Sequence, residues 1–289
     1  MNPNKNLRGE IAESPERRGS FLAFDMRLSE KIVILALLFG ISSPADPQGA
    51  EIRVAAAADL KFAMDELAKQ FEKQTGTKVN VTYGSSGNFL AQIENGAPFD
   101  IFFSADMDYP RRLQAAGLAE PGTLCEYAIG RIVIWTPADA SVDVAKEKWA
   151  ALLKPDVRKI AIANPVHAPY GRAAVAALES AGIYDQVKSK LVYGENISQA
   201  AQFVQSGNAQ AGIIALSLAI SPGMNAGKSW EIPSEMYLPI EQGAVLLANG
   251  KNKEQARRFL DLIKSAAGLA VLEKFGFAAP AVPASVGKR

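Results

Sequence analysis

The sequence has very little of the residue types that carry metal-dependent or covalent chemistry. It contains one cysteine, Cys125, and one histidine, His167, in 289 residues. One cysteine excludes a disulfide within the chain, and a lone histidine argues against a zinc site or a Cys–His catalytic pair. We interpret Cys125 as an inert buried thiol and His167 as a structural residue rather than a ligand.

The chain also lacks an excess of either charge. It has 31 Lys and Arg residues against 30 Asp and Glu residues, a formal net charge of +1. Proteins that bind nucleic acid usually present a basic face, so no nucleic-acid partner is expected. The length and the 48% hydrophobic fraction are enough for a full core and favour two lobes.

The N-terminal region has the pattern of an export signal. A basic segment at 26–31 precedes the apolar run 32–41, and small residues follow it. The run is too short to cross a bilayer as a permanent helix, and its alternative interpretation is a buried core helix. No cysteine follows it, which argues against a lipid anchor. We predict that residues 1–50 are an N-terminal extension and signal peptide, with Met26 as an alternative start, and that the protein is periplasmic.

From Glu51 onward, short apolar runs alternate with segments of helical spacing. Ile52–Ala57 is typical of a buried strand, and the apolar residues between Leu60 and Phe71 then recur every three or four positions. The same alternation predicts further strands at 78–83, 100–103, 131–135, 159–163, 192–193 and 212–216. Such alternation indicates an α/β fold with a mostly parallel sheet and helices on both faces. Ligands of such sheets bind beyond the carboxyl ends of the strands.

Four strand-to-helix turns are candidates for function. They are Ala57–Leu60, Gly84–Gly87, Asn164–Gly171 and Gly194–Ser198, two before Gly130 and two after it. A helix start presents backbone N–H groups without intrahelical partners, together with the positive end of the helix dipole. If each pair of turns belongs to one lobe, four such ends converge across a cleft. They can then hold an anion without lysine or arginine.

Each candidate residue in these turns also has an ordinary structural interpretation. Asp59 can cap its own helix, and Ser85 and Ser86 can be plain capping hydroxyls. Tyr170 can be a half-buried surface tyrosine. Ile197 can be a core residue or a hydrophobic staple, so that only its backbone N–H is of interest.

Several motifs together resemble the periplasmic molybdate-binding proteins of ABC importers, a substrate-binding protein family. They are Ser85-Ser86, the run Gly96–Asp106, the loop Asn164–Gly171 and Lys274–Phe277. The resemblance extends roughly from residue 51 to residue 280. It implies the periplasmic-binding-protein type II fold, in which two α/β lobes, each a mainly parallel sheet with helices on both faces, hold the ligand between them. We place lobe 1 at 51–129 plus 236–289, and lobe 2 at 130–235.

The resemblance also implies a function and a site. The protein would capture molybdate, and tungstate with it, and deliver it to a membrane permease and its ATPase, as a monomer, without a cofactor and without catalysis. Asp59 and Ser86 would offer side chains, and Tyr170 and Ile197 their backbone N–H groups. All four would contact oxygens of the anion, so they are metal-binding only in that sense. The Tyr170 phenol would replace one that other members carry at the position of Ala215.

Asp59 departs from the family pattern, which has Ser, Asn or Thr at this position. An ionised carboxylate about 4–5 Å from a dianion is unfavourable by several kcal/mol. The side chain could turn back to cap its helix, which we favour, or it could be protonated and donate a hydrogen bond. In a third alternative the ligand is not a free tetrahedral dianion.

Other functions stay open on the sequence. The chain could be a receptor for sulfate or another oxyanion, or could bind a metal cation through Asp59 and Tyr170. A sensor domain would normally be fused to a DNA-binding or signalling module, and no segment resembles one. An enzyme is disfavoured because the sequence offers no nucleophile–base–orienter set, no G-x-S-x-G motif and no phosphate-binding P-loop.

Overall fold

The computed structural model describes residues 51–280. The predicted signal peptide lies outside the described residues, as does the last segment assigned to lobe 1. In the part of the chain that is described, no helix is long and apolar enough to cross a membrane.

The described residues form two five-stranded sheets surrounded by helices. The strands are β1 (Glu51–Ala57), β2 (Lys78–Gly84), β3 (Ile101–Ser104), β4 (Cys125–Gly130), β5 (Ile132–Thr136), β6 (Ile160–Ala163), β7 (Leu191–Gly194), β8 (Ala211–Ala215), β9 (Lys228–Glu231) and β10 (Ile240–Leu246). The helices are α1 (Lys61–Thr75), α2 (Ser86–Glu94), α3 (Asp108–Ala115), α4 (Val144–Glu147), α5 (Trp149–Leu153), α6 (Pro169–Ser180), α7 (Tyr184–Val187), α8 (Ile197–Gln205), α9 (Leu216–Ala219), α10 (Lys253–Lys264) and α11 (Ala266–Lys274). Three short 3₁₀ turns lie at Ala58–Leu60, Lys188–Lys190 and Ser234–Met236.

The two sheets share one strand layout. The first has the order β2-β1-β3-β10-β4 and the second the order β7-β6-β8-β5-β9. In the first sheet β1 pairs in parallel with β2 and β3, whereas β10 runs antiparallel to β3 and β4. In the second sheet β6 pairs in parallel with β7 and β8, and β5 runs antiparallel to β8 and β9. Four strands of each sheet therefore share one direction, which confirms the predicted mainly parallel sheets.

Alternating side chains of β1 bury both faces of the first sheet. Ile52, Val54 and Ala56 belong to an apolar cluster with α1, α10 and α11. Ala55 belongs to a second cluster with residues of α2 and α3, on the opposite face. Because successive residues of a strand point to opposite faces, the apolar and buried run 54–57 of β1 requires a helix layer on each side.

Some predicted elements were wrong in detail. The apolar spacing of 144–153 predicts one helix, but the segment divides into α4 and α5 at Lys148, which has a φ of 53°. The strands β4 and β9 were not predicted. Each lies at an outer position of its sheet and contains polar residues, so its apolar signal is weak.

The chain passes between the two sheets twice. Arg131 alone separates β4 from β5, and residues 232–239 connect β9 to β10. The predicted lobe boundary at 129/130 lies one residue before the end of β4, and the one at 235/236 lies within the second connection, so both boundaries stay predictions. The shortness of the two connections is what we expect of a hinge between two lobes.

Candidate functional site

The four predicted site residues line one pocket between the two sheets. Asp59, Ser86, Tyr170 and Ile197 surround it, together with alanines, Gly84, Ser85 and Pro169. Among the described residues that line it, Asp59 carries the one carboxyl side chain, and none is a lysine, arginine or histidine. Arg111, Arg112 and Arg172 instead line a neighbouring groove of about 700 Å³.

Two of the turns follow strands of the first sheet. Asp59 lies in the 3₁₀ turn after β1, and Ser86 is the first residue of α2, directly after β2. Neither Ser85 nor Ser86 caps α2 through its side chain, so the capping interpretation is wrong for both. The Ser86 Oγ accepts a hydrogen bond from the Ala105 N–H at 2.9 Å. The Ser86 hydroxyl hydrogen therefore remains available as a donor.

The other two turns follow strands of the second sheet. Pro169 is the first residue of α6, so Tyr170 is the second, and its N–H lies in the first turn of the helix. Tyr170 is 2% exposed, which rules out the interpretation as a surface tyrosine. Ile197 is the first residue of α8, after Asn196, whose side chain accepts a hydrogen bond from the Gln199 N–H at 3.0 Å.

The Ile197 side chain has the core role that the sequence left open, and its backbone N–H stays a candidate donor. Its side chain is buried in the apolar cluster of the second sheet, as a core residue. Its backbone N–H lies in the first turn of α8, where intrahelical partners are missing. The buried side chain fixes the start of α8 beside the pocket, whose lining includes Ile197.

The favoured interpretation of Asp59 is wrong. Its side chain caps neither the 3₁₀ turn nor α1. The carboxylate instead reaches the second lobe, where its Oδ2 accepts a hydrogen bond from the Tyr170 hydroxyl at 2.9 Å. Its Oδ1 is buried and has no hydrogen-bond partner among the described residues. Tyr170 outcompetes the helix N-terminus because it supplies a phenolic donor in the same buried space.

A buried polar chain continues from Tyr170 toward the connections between the sheets. The Gln242 Nε2 donates to the Tyr170 hydroxyl at 3.4 Å, and the Tyr127 hydroxyl donates to the Gln242 Oε1 at 3.1 Å. Tyr127 is in β4 and Gln242 in β10. Neither Tyr127 nor Gln242 was predicted from the sequence to be near the site. A glutamine in the middle of the apolar stretch 237–247 could have indicated a buried polar contact. The Tyr170 phenol is therefore engaged by Asp59 and Gln242, rather than simply replacing the phenol absent at Ala215.

Burial sets the ionisation of this polar chain. Burial raises the pKa of Asp59 from 3.8 to about 7, against a smaller opposing effect of the hydrogen bond from Tyr170. Burial, and then the charge of Asp59, raise the pKa of Tyr170 and of Tyr127 well above the ordinary value. Both phenols are therefore neutral donors, and Asp59 is the group that titrates near neutral pH.

Several hydrogen bonds hold the two lobes together around the pocket. Ser198 and Ser217 donate to the backbone carbonyls of Ala58 and Asp59 at 3.0 and 2.8 Å. The Gly87 N–H donates to the His167 carbonyl at 3.0 Å. These bonds join elements of the first sheet to elements of the second, so the structure is a closed form.

The one histidine makes a contact across the same interface. The His167 Nδ1 lies 2.9 Å from the Ser85 Oγ. A serine beside an imidazole is one part of a hydrolase site, but among the described residues no carboxylate accepts a hydrogen bond from the other ring nitrogen of His167. Together with the Gly87 hydrogen bond, this pair is a closure contact, in keeping with the structural role expected of His167. Within residues 51–280, no three His, Cys, Asp or Glu side chains are grouped closely enough to hold a metal ion.

Comparisons with known proteins agree with this architecture. Residues 52–278 match the family model described as "Bacterial extracellular solute-binding protein". The chain is 40% identical over 253 residues to the molybdate-binding protein ModA of Azotobacter vinelandii, covering 87% of this chain and 99% of that protein. It is 39% identical over 254 residues to the molybdate-binding protein ModA of Rhodobacter capsulatus, covering 88% and 98%.

A solved structure supports the same assignment. The periplasmic molybdate-binding protein of Azotobacter vinelandii superposes with a TM-score of 0.74 at 35% identity, covering 80% of this chain and all of that one. The chain therefore belongs to the bacterial extracellular solute-binding proteins, and within them to the group of periplasmic molybdate-binding proteins of ABC importers.

Proposed function

We propose that this protein binds molybdate, and tungstate with it, in the pocket between its lobes and delivers the anion to an ABC permease and its ATPase. It acts outside the cytoplasm, as a monomer. The relatives named above support molybdate as the ligand. We propose Asp59, Ser86, Tyr170 and Ile197 as the residues that contact the oxygens of the anion.

The observation that carries the proposal is the composition of the pocket. Helix starts from both lobes and the Ser86 hydroxyl meet in a lining without a basic side chain. Hydrogen bonds to a charged acceptor contribute about 1.5–3 kcal/mol each, so several neutral donors can replace the water shell of an oxyanion. Such a site selects by size and number of acceptors rather than by charge alone.

Lobe closure supplies the signal for delivery. The bonds from Ser198 and Ser217 to the Ala58 and Asp59 carbonyls form only when the lobes meet. A bound anion bridges donors of both lobes and therefore favours the closed form. The permease would then recognise the relative position of the lobes rather than the ligand itself.

The same pocket makes the other functions weaker proposals. A metal cation would need more oxygen or nitrogen ligands than Asp59 and Tyr170 supply. A hydrolase would need the Ser85–His167 pair to stay together during turnover, yet the pair spans the two lobes. A sulfate receptor differs from a molybdate receptor only in the size of the anion, so binding measurements must separate the two.

Isothermal titration of the purified protein with molybdate, tungstate, sulfate and phosphate tests the proposal. We expect one-to-one binding of molybdate and tungstate, with sulfate and phosphate much weaker. Ser86→Ala should weaken molybdate binding by about 1–3 kcal/mol, or roughly 5- to 150-fold, because it removes a buried donor.

Ser206→Ala is the matched control for this variant. Ser206 follows the C-terminal end of α8, whereas Ile197 begins that helix. The Ser206 side chain is exposed and donates a hydrogen bond only to the carbonyl of Phe203, so removing its hydroxyl should leave molybdate affinity unchanged. Sulfate binding tighter than molybdate would replace the proposed ligand. Equal affinity of Ser86→Ala and the unmodified protein would remove Ser86 from the site.

A further inference from the structure

One buried oxygen in the pocket has no partner. Asp59 is 1% exposed, and its Oδ1 makes no hydrogen bond with any described residue, whereas its Oδ2 is held by Tyr170. Asp59 lines the pocket, so Oδ1 is the carboxyl oxygen left to meet a ligand there. An ionised Oδ1 could only repel an oxyanion, because a carboxylate has no hydrogen to donate.

The groups that face Asp59 offset the cost of burying its negative charge only in part, because burial raises its pKa more than the Tyr170 and Gln242 side chains and the Asp59 and Leu60 N–H groups lower it. The polar groups around it are the phenols of Tyr170 on α6 and Tyr127 on β4, the amide of Gln242 on β10, and the hydroxyls of Ser198 on α8 and Ser217 on α9. The hydroxyls of Ser198 and Ser217 donate to backbone carbonyls rather than to the carboxylate. All five groups are neutral near pH 7.

The neighbouring lysine and histidine side chains contact other residues instead of Asp59. Lys61, at the start of α1, pairs with Asp65. His167, in the loop before α6, contacts Ser85 through its Nδ1. A dianion in the pocket would therefore meet a carboxylate with no cation between them, which is unfavourable unless a proton is present.

We propose that the protein takes up one proton, held between the Asp59 Oδ1 and an oxygen of the anion, each time it binds a molybdate dianion. This inference rests on the proposed function. When the lobes are apart, Asp59 loses Tyr170 and meets water, so its carboxyl group is ionised at neutral pH. On closure a proton from the solvent forms an O–H bond at Oδ1, and that hydroxyl donates to the anion. No other covalent bond changes.

The raised pKa of Asp59 agrees with this geometry. Burial in the closed form raises the pKa to about 7 without a ligand, and an adjacent dianion raises it further because it disfavours a second negative charge. Proton uptake makes binding weaker as the pH rises. The dissociation constant should increase about tenfold per pH unit above neutrality, since one proton is consumed for each anion bound.

Titration calorimetry of the purified protein with molybdate from about pH 6.5 to about pH 8.5 tests the inference. We expect the dissociation constant to rise about 100-fold over this interval. Repeating the titration in two buffers of different ionisation enthalpy should give an uptake of about one proton per site. An unchanged affinity, or no proton uptake, would overturn the inference while leaving molybdate binding in place.

Asp59→Asn is the matched variant, because an amide keeps the shape and can donate without a proton from the solvent. It should bind molybdate with less than about a threefold change over the same pH interval and with no proton uptake. His167→Gln should keep the full pH dependence, since His167 contacts Ser85 and not Asp59. A flat profile for His167→Gln would assign the proton to the histidine and refute the role of Asp59.

Phosphate separates this inference from a failure of the proposed function. Hydrogen phosphate carries its own proton, so it could bind an ionised Asp59 without any uptake. If phosphate binds more tightly than molybdate and takes up no proton, Asp59 is an acceptor that selects protonated anions, and both proposals fail. If molybdate binds tightly without proton uptake, only the inference about Asp59 fails.

Discussion

Gly130→Ala should prevent tight closure of the lobes while leaving the fold intact. A Cβ atom at this position would lie 2.8 Å from the Gln242 Nε2 and 3.0 Å from the Tyr170 Cζ, with the phenol oxygen closer still. Gly130 ends β4 in the first sheet, whereas Tyr170 belongs to α6 beside the second. The phenol therefore meets the new methyl group only when the lobes come together. Gly130 has no positive φ, so alanine suits its backbone.

The magnitude follows from the contacts that the methyl group displaces. Moving the phenol breaks its hydrogen bond to Asp59, which costs about 0.5–1.5 kcal/mol when the carboxyl group is protonated in the bound form. Overpacking adds about 1–3 kcal/mol when neighbours cannot yield. Partial relaxation offsets part of this sum, so we expect molybdate affinity to fall by about 1–3 kcal/mol, or roughly 5- to 150-fold.

A double-mutant cycle tests whether the collision with the Tyr170 phenol causes the loss of molybdate affinity. Calorimetric titration with molybdate gives the affinities of Gly130→Ala, Tyr170→Phe and the double variant. If the methyl group collides with the phenol oxygen, removing that oxygen should recover part of the loss, so the two changes are not additive. Urea unfolding without ligand should change less than molybdate binding, because the open form avoids the collision with the phenol and keeps only the contact with the flexible end of the Gln242 side chain in the same sheet.

Two results would refute this reasoning. Unchanged affinity of Gly130→Ala would mean that the closed arrangement of Tyr170 against Asp59 is not the ligand-bound form. A large loss of unfolding free energy without ligand would mean that the collision exists whether or not the lobes close.

Two further predictions concern closure and pH. Gly87→Ala should also weaken molybdate binding, by about 1–3 kcal/mol, because its Cβ would lie 2.7 Å from the His167 carbonyl oxygen across the interface. Titration calorimetry measures the loss of affinity. An equal loss in the free energy of unfolding would contradict an effect on closure. Asp59 should make closure of the ligand-free protein less favourable as the pH rises. The closed form, with a pKa of about 7, holds the proton more tightly than the open form, so this contribution to closure is present below about pH 4 and lost by about pH 7. The radius of gyration of the ligand-free protein should therefore rise over that range relative to that of Asp59→Asn, and a constant difference would contradict the raised pKa.

Local patterns were enough to predict much of the architecture. The apolar run of β1 and the helical spacing after it each depend on neighbouring residues only, so their strand and helix were predicted close to their observed bounds. The four turns were predicted for the same reason, since a strand that ends in small residues and a helix that begins are both local signals. The weakly apolar strands β4 and β9 were missed because their pairing, rather than their composition, makes them strands.

The arrangement inside the pocket depends on contacts between distant parts of the chain. Asp59 was expected to cap its own helix, the best partner within reach along the sequence. The fold instead brings Tyr170, which lies 111 residues away, within 2.9 Å of its carboxylate. Gln242 and Tyr127, 115 residues apart, complete the polar chain. Local sequence sets which donors and acceptors each turn can offer, but the choice among partners depends on closure. Closure removes water from Asp59 and leaves the phenol as its nearest donor.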